Sequence, residues 1–374
     1  GSLIIGADAQ GFGYPLLHGG IAKLVGCQSA NIIVFNFVVF FIPLTILLIL
    51  SKTSIREKIL LIVFALLFPF FPLFCFSFMQ ETLHIGFAFI LSILLYNIYN
   101  KENNVLYVKG YIGVIILAGL FRPLWFMYLI GLIPAYNKKN KSQLLYYVSK
   151  FFAGFIASFL FKSIITEKGP NQFANVIDNL KSFNLFAALN IIYKNFIQNI
   201  YYFFVNLYVD QGYYLRKILP FLFLIYFTIM AIITKKKIYW SLVLVGSINY
   251  LLLFLIYDAI GGREIRTMSP LFYFYLLFIV VSITFTKNNF IAFLKVNTIS
   301  FGLVYALYLN YRVSKSWIEE RNNSLTPETM ILKESSSSLA KIIPNNSRVR
   351  LEYYPLDNSW DLLFLPVQNS NGNL

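Results

Sequence analysis

Few side chains in this sequence can do chemistry, and those that can are acids and arginines set between long apolar runs. A lone carboxylate, Asp8, stands in the glycine-rich stretch Gly6-Ala7-Asp8-Ala9-Gln10-Gly11-Phe12-Gly13-Tyr14. Glu81 and His84 sit at helix-entry spacing where another apolar run begins. Arg122 precedes Pro123 in the middle of a further run, and Gly261-Gly262-Arg263-Glu264-Ile265-Arg266 sets two guanidinium groups after a flexible backbone. A carboxylate can take a proton as general base, and planar guanidinium forks suit a phosphate diester or pyrophosphate. Each group also has an ordinary reading. Asp8 beside glycine favours a turn, Glu81 meets the positive end of a helix, and Arg263 and Arg266 suit snorkelling anchors. Arg122 resists such a reading, because an arginine at the apex of an apolar hairpin costs several kcal/mol unless it is paired or reaches water.

The elements that position these groups follow from composition. The 374 residues are 58% hydrophobic and 18% aromatic but only 13% charged. Soluble domains carry roughly 45–50% apolar and about 25% charged residues, so the expected fold class is an all-α polytopic membrane protein. The net charge of +15 does not mark a nucleic-acid binder, because the Lys and Arg punctuate apolar runs instead of forming one basic face. Membrane lipids are the expected partners of those charges. Cys27 and Cys75 make no disulfide framework. No glycine loop followed by Lys-Ser/Thr marks an NTPase, and His18 and His84, the two histidines, offer no metal-ligand spacing.

About ten apolar segments are expected. Residues 1–28 read as a polar loop, amphipathic around Tyr14 to Val25, with Gly1-Ser2 resembling a cleavage scar and a first helix expected ahead of this numbering. Spans follow at 29–50, about 59–78 (interrupted by Pro69 and Pro72) and 83–99 after the polar turn Met79-Gln80-Glu81-Thr82. The stretch 111–136 is broken by Phe121-Arg122-Pro123 and is basic at both ends, so it should go up and come back with Arg122 at the apex. A span at about 144–165 leads into the mixed region 166–216, where the helical spacing of apolar residues from Phe183 to Ile200 suits helices lying on the membrane surface. Spans at 219–234, 238–257, 269–286 and within 290–311 complete a transmembrane domain of residues 1–311. Residues 312–374 form a small extracytoplasmic segment, α/β or irregular, with strand-like Arg348 to Tyr354.

Lys52, Arg56, Lys58, Lys101, Lys109, Lys138, Lys139, Lys141, Lys235, Lys236, Lys237 and Lys287 then share the cytoplasmic side. Asp8, Glu81, Arg122, Asp258, Arg263, Glu264 and Arg266 fall on the opposite face. A wet cleft with carboxylates and several arginines suits an anionic amphiphile such as a lipid phosphate.

The order of these features (Asp8-Ala-Gln-Gly-Phe-Gly-Tyr14, a proline-rich helix before Gln80-Glu81, Gly119-Leu-Phe-Arg122-Pro123, and Gly261-Gly-Arg263-Glu-Ile-Arg266) resembles the GT-C superfamily of integral membrane glycosyltransferases. The resemblance implies inverting transfer of a sugar from a polyprenyl-phosphate donor to a glycan, lipid or protein acceptor on the outer face of a bacterial inner membrane. It implies Asp8 as catalytic base, Arg122, Arg263 and Arg266 as holders of the lipid phosphate, and Glu81, His84, Tyr14 and Glu264 as supporting groups. Many members have an Asp-Glu pair where this chain has Asp8-Ala9, which leaves open whether Asp8 holds a divalent metal, Mg or Mn. No nucleic acid is expected as a partner. Two rival readings are an O-antigen-type polysaccharide polymerase, with arginines on lipid pyrophosphate, and a non-enzymatic lipid or solute transporter.

Overall fold

Long runs of Leu, Ile and Phe with few interruptions favour helices in an apolar medium, because a helix satisfies every backbone polar group within its own segment. The computed structural model describes residues 29–68, 81–100, 105–136, 141–165, 172–204, 211–255 and 263–284, with Leu17, Gly20, Phe71, Cys75, Val304, Tyr308 and Tyr311 besides. The elements among these residues are all helical: α1 (Ser29–Leu50), α2 (Ile55–Leu67), α3 (Glu81–Asn100), α4 (Val105–Phe121), a 3-10 helix (Pro123–Ala135), α5 (Lys141–Ile165), α6 (Gln172–Lys181), α7 (Leu185–Phe204), α8 (Gln211–Thr234), α9 (Lys237–Leu255) and α10 (Arg263–Thr284). The expected C-terminal segment 312–374, with its strand-like stretch, lies outside the described residues.

Ile33–Leu50, Glu81–Asn100 and Lys237–Leu255 are long and apolar enough to cross a membrane, and Val105–Phe121, Pro123–Ala135, Leu219–Thr234 and Met268–Ser282 are shorter apolar helices. Only 22% of Ile33–Leu50 is buried inside the protein, so this apolar helix turns most of its surface outward. These are the features of a helical membrane protein.

The core is built around α3, which packs against α1, α4, α10 and the 3-10 helix. Its contact with α1 is close: a Cβ on Gly86 would stand 3.2 Å from Pro43 Cγ and against the Val39 carbonyl oxygen. From Met268 to Val281, α10 is buried on every side, as an all-round apolar helix must be. It packs on α2, α3 and α8.

The stretch expected to go up and come back does reverse at Arg122. Tyr111 of α4 donates its hydroxyl to the Tyr128 carbonyl at 2.9 Å, and a Cβ on Gly119 would run into the Phe126 ring. Pairs far from the turn and pairs near it both form, so the two arms are antiparallel. Residue count alone makes each arm look short. However, a 3-10 helix rises about 2.0 Å per residue against about 1.5 Å in an α-helix, so the 13 residues from Pro123 to Ala135 reach about as far as the 17 of α4.

Contacts also set the directions of the other elements. The 3-10 helix runs parallel to α3, pairing Arg122 with Glu81, Trp125 with His84 and Gly131 with Tyr99. Helix α9 runs against it, with Lys237 at Tyr136 and Ser241 at Gly131. Helix α8 runs against α9, pairing Phe227 with Tyr239 and Phe221 with Tyr250. Helix α10 runs with α8, pairing Phe223 with Phe272 and Tyr226 with Ser282. The starts of α3, the 3-10 helix and α10 therefore share one end of the bundle. Lys235, Lys236 and Lys237 mark the other.

Candidate functional site

At the end where α3 begins, two short columns of side chains face each other. Glu81 and His84 are three apart in the first turn of α3 and so share a face; the helix starts at Glu81, two residues earlier than the sequence suggests. In a 3-10 helix side chains three apart eclipse one another, which stacks Trp125 on Tyr128, with Arg122 at the N-cap just ahead of them. The columns join rung by rung. Arg122 Nη2 donates to Glu81 Oε1 at 3.2 Å, and Trp125 Nε1 donates to His84 Nδ1 at 2.9 Å.

The local sequence makes this geometry. Arg122 holds an extended backbone (φ −149, ψ 114) ahead of Pro123, the conformation that proline favours in the residue before it. Proline at the first helical position starts the returning arm. Arg122 N–H still bonds the Ala118 carbonyl of the outgoing arm at 2.9 Å, and its own carbonyl accepts from Trp125 N–H at 3.1 Å. Arg122 thus ends one helix and starts the next.

Burial gives the ion pair its weight. The Glu81 side chain is fully buried and that of Arg122 is 12% exposed. Breaking such a pair from one side typically costs about 3–5 kcal/mol, because a charge is left buried alone. Glu81 also sits in the first turn of α3. An indole nitrogen only donates, so His84 Nδ1 must be the accepting nitrogen, with the ring proton on Nε2. His84 is fully buried. Aromatic rings close the site from below and beside: Trp125 lies 4.6 Å from Tyr128, Phe87 lies 5.5 Å from Phe121, and Phe274 of α10 meets Tyr128 at 5.1 Å.

Of the residues expected in the site, the structure brings Glu81, His84 and Arg122 together. Arg263, Glu264 and Arg266 open α10 at the same end of the bundle, but their side chains are outside the described residues. Asp8, Tyr14 and Asp258 are outside them as well. Trp125 was missed by sequence reasoning. Its available signal was a buried indole N–H, which requires an acceptor, standing three residues after an arginine. Among the described residues no three His, Cys, Asp or Glu side chains cluster to hold a metal ion, so these residues alone do not build a site for Mg or Mn.

No family model matches the chain, and no curated protein or solved structure matches it either.

Proposed function

We propose that this protein is a membrane glycosyltransferase of the GT-C type, moving a sugar from a polyprenyl-phosphate donor to a glycan, lipid or protein acceptor at the outer face of a bacterial inner membrane. The observation that carries the reading is the buried Glu81–Arg122 pair at the end of the bundle away from Lys235, Lys236 and Lys237. Cytoplasmic loops are the basic ones, and in this reading that end is therefore the outer one. A guanidinium held there by a buried carboxylate is preorganised to meet an anionic group at the membrane surface.

In this reading Asp8 takes the proton of the acceptor hydroxyl as its oxygen attacks the anomeric carbon of the donor. The bond from that carbon to the phosphate oxygen breaks, and its electron pair leaves on the lipid phosphate. Arg122, Arg263 and Arg266 stabilise the charge gathering on that phosphate. One displacement inverts the anomeric centre. Glu81 and His84, with Tyr14 and Glu264, support the site, Glu81 by fixing the direction of the Arg122 fork.

The test is transfer of radiolabelled sugar from lipid donor in membranes holding the wild-type protein or Asp8→Asn. Loss of turnover in a folded Asp8→Asn protein is expected; normal turnover would remove Asp8 as the base. Addition of one sugar, not a ladder of repeat units, separates this reading from a polymerase.

A further inference from the structure

The α6–α7 hairpin carries apolar side chains where a water-facing hairpin would carry polar ones. Phe183, at its tip, is 92% exposed, and on α7 Phe186, Leu189, Tyr193 and Ile197 are 82%, 64%, 64% and 49% exposed. They recur at steps of three and four and so form one stripe along the helix.

The helix is fastened by its other face and cannot roll to bury that stripe. Asn199 Nδ2 donates to the Leu253 and Phe254 carbonyls at 3.2 and 3.0 Å, and Asn195 Nδ2 donates to the Leu255 carbonyl at 3.5 Å. These carbonyls belong to the last described turn of α9. Phe203 packs beside them on Tyr250 and Phe254.

The tip is equally well defined. Asn184 N–H reaches the Asn179 carbonyl at 2.8 Å and Phe183 N–H the Leu180 carbonyl at 3.1 Å, the pairing of a Schellman C-cap. Phe183 takes the left-handed position there, φ 56, which glycine normally fills. Asn184 Oδ1 then accepts from Ala187 N–H at 3.2 Å and caps α7. A bulky aromatic is held outward where the backbone would favour the smallest residue.

The stripe continues into the outward apolar side of the bundle. Phe204 lies 5.6 Å from Phe221 of α8, and beside Phe221 begins the exposed series Leu222, Ile225, Ile229 and Ile232. What covers that side of α8 covers α7. Lys181 and Lys194 are exposed beside the stripe, a charge that suits anionic head groups.

We infer that the α6–α7 hairpin is inserted into the lipid monolayer at the Glu81 end of the bundle, with Phe183 and Phe186 as its wedge and lipid as the partner of the stripe. It is an in-plane anchor that ties the site's end of the protein to the level of the head groups.

The test uses the full chain in nanodiscs of phosphatidylcholine with a minority of phosphatidylglycerol, in a background of Cys27→Ser and Cys75→Ala. An environment-sensitive probe is attached at Phe186→Cys, at Tyr193→Cys, or at Asp178→Cys on the polar face of α6. Lipids brominated near the head group should quench most of the emission at 186 and 193, with a blue shift, and leave 178 unchanged. The further change Phe183→Gly suits the left-handed turn and keeps the hairpin folded, so it should reduce quenching at 186 without loss of thermal stability. Absence of lipid quenching at 186 and 193 would overturn the inference. So would protection of those sites that disappears on deleting residues 312–374 or on diluting the protein to monomer, since the stripe would then be covered by protein.

Discussion

The two ends of the 3-10 helix Pro123–Ala135 both place polar groups in apolar surroundings, and they do so for different reasons. At the Lys237 end, the Lys237 ammonium donates to the Tyr136 carbonyl, Ser241 Oγ donates to the Gly131 carbonyl at 2.6 Å, and the Tyr99 hydroxyl meets Ser241 Oγ. The Gly131 carbonyl stands three residues before Pro134, which has no N–H to give it, and Tyr136 is the C-cap of the helix, so hydroxyls and an ammonium there complete the backbone's own requirement. At the Arg122 end, the polar groups are a guanidinium and a carboxylate. The chain places Arg122 and Glu81 together, with the Glu81 carboxylate fully buried, although a well-packed apolar pair is often as stable as a buried ion pair or more so. One end is explained by folding alone. The other is the one we propose as the phosphate site.

The largest effect should therefore come from breaking the charged end on one side. Arg122→Ala should lower stability by about 3–5 kcal/mol, read as thermal unfolding in detergent. The double variant Glu81→Leu/Arg122→Met should recover most of that loss. If Arg122→Ala melts with the wild type, the two ends are alike and the contrast fails.

Next in size is Trp125→Phe, which removes the donor to His84 Nδ1 and leaves a buried nitrogen without it. A loss of about 1–3 kcal/mol is expected from the same melting curves. The smallest effect is at the backbone-closing end. Ser241→Ala should cost about 1 kcal/mol, since the Tyr99 hydroxyl still lies 3.5 Å from the Gly131 carbonyl, and should leave sugar transfer unchanged.

Much of the helical layout is legible in the sequence, because apolar runs and basic punctuation report directly on burial and breaks. The reversal at Arg122 is legible too, from Pro123 and the lysines at both ends of that stretch. Two things are not. The 3-10 geometry of the returning arm leaves no periodic trace in Pro-Leu-Trp-Phe-Met-Tyr-Leu-Ile-Gly-Leu-Ile-Pro-Ala, which is apolar on every face. The pairing of Trp125 with His84 is set by how the returning arm lies along α3, which the local sequence does not show. The Glu81–Arg122 pair joins residues 41 apart, and nothing local to either one names the other. The same holds for Asn195 and Asn199, which read as surface amides until α9 supplies the carbonyls they bind.

The most direct test of the central claim is retention of polyprenyl phosphate by the purified protein, measured by native mass spectrometry over a lipid titration. The wild type and Ser241→Ala should hold the lipid alike, and Glu81→Leu/Arg122→Met should bind it more than tenfold more weakly, a difference of about 1.4 kcal/mol or greater. Equal retention by that double variant would contradict the assignment of the Arg122 end as the lipid-phosphate site.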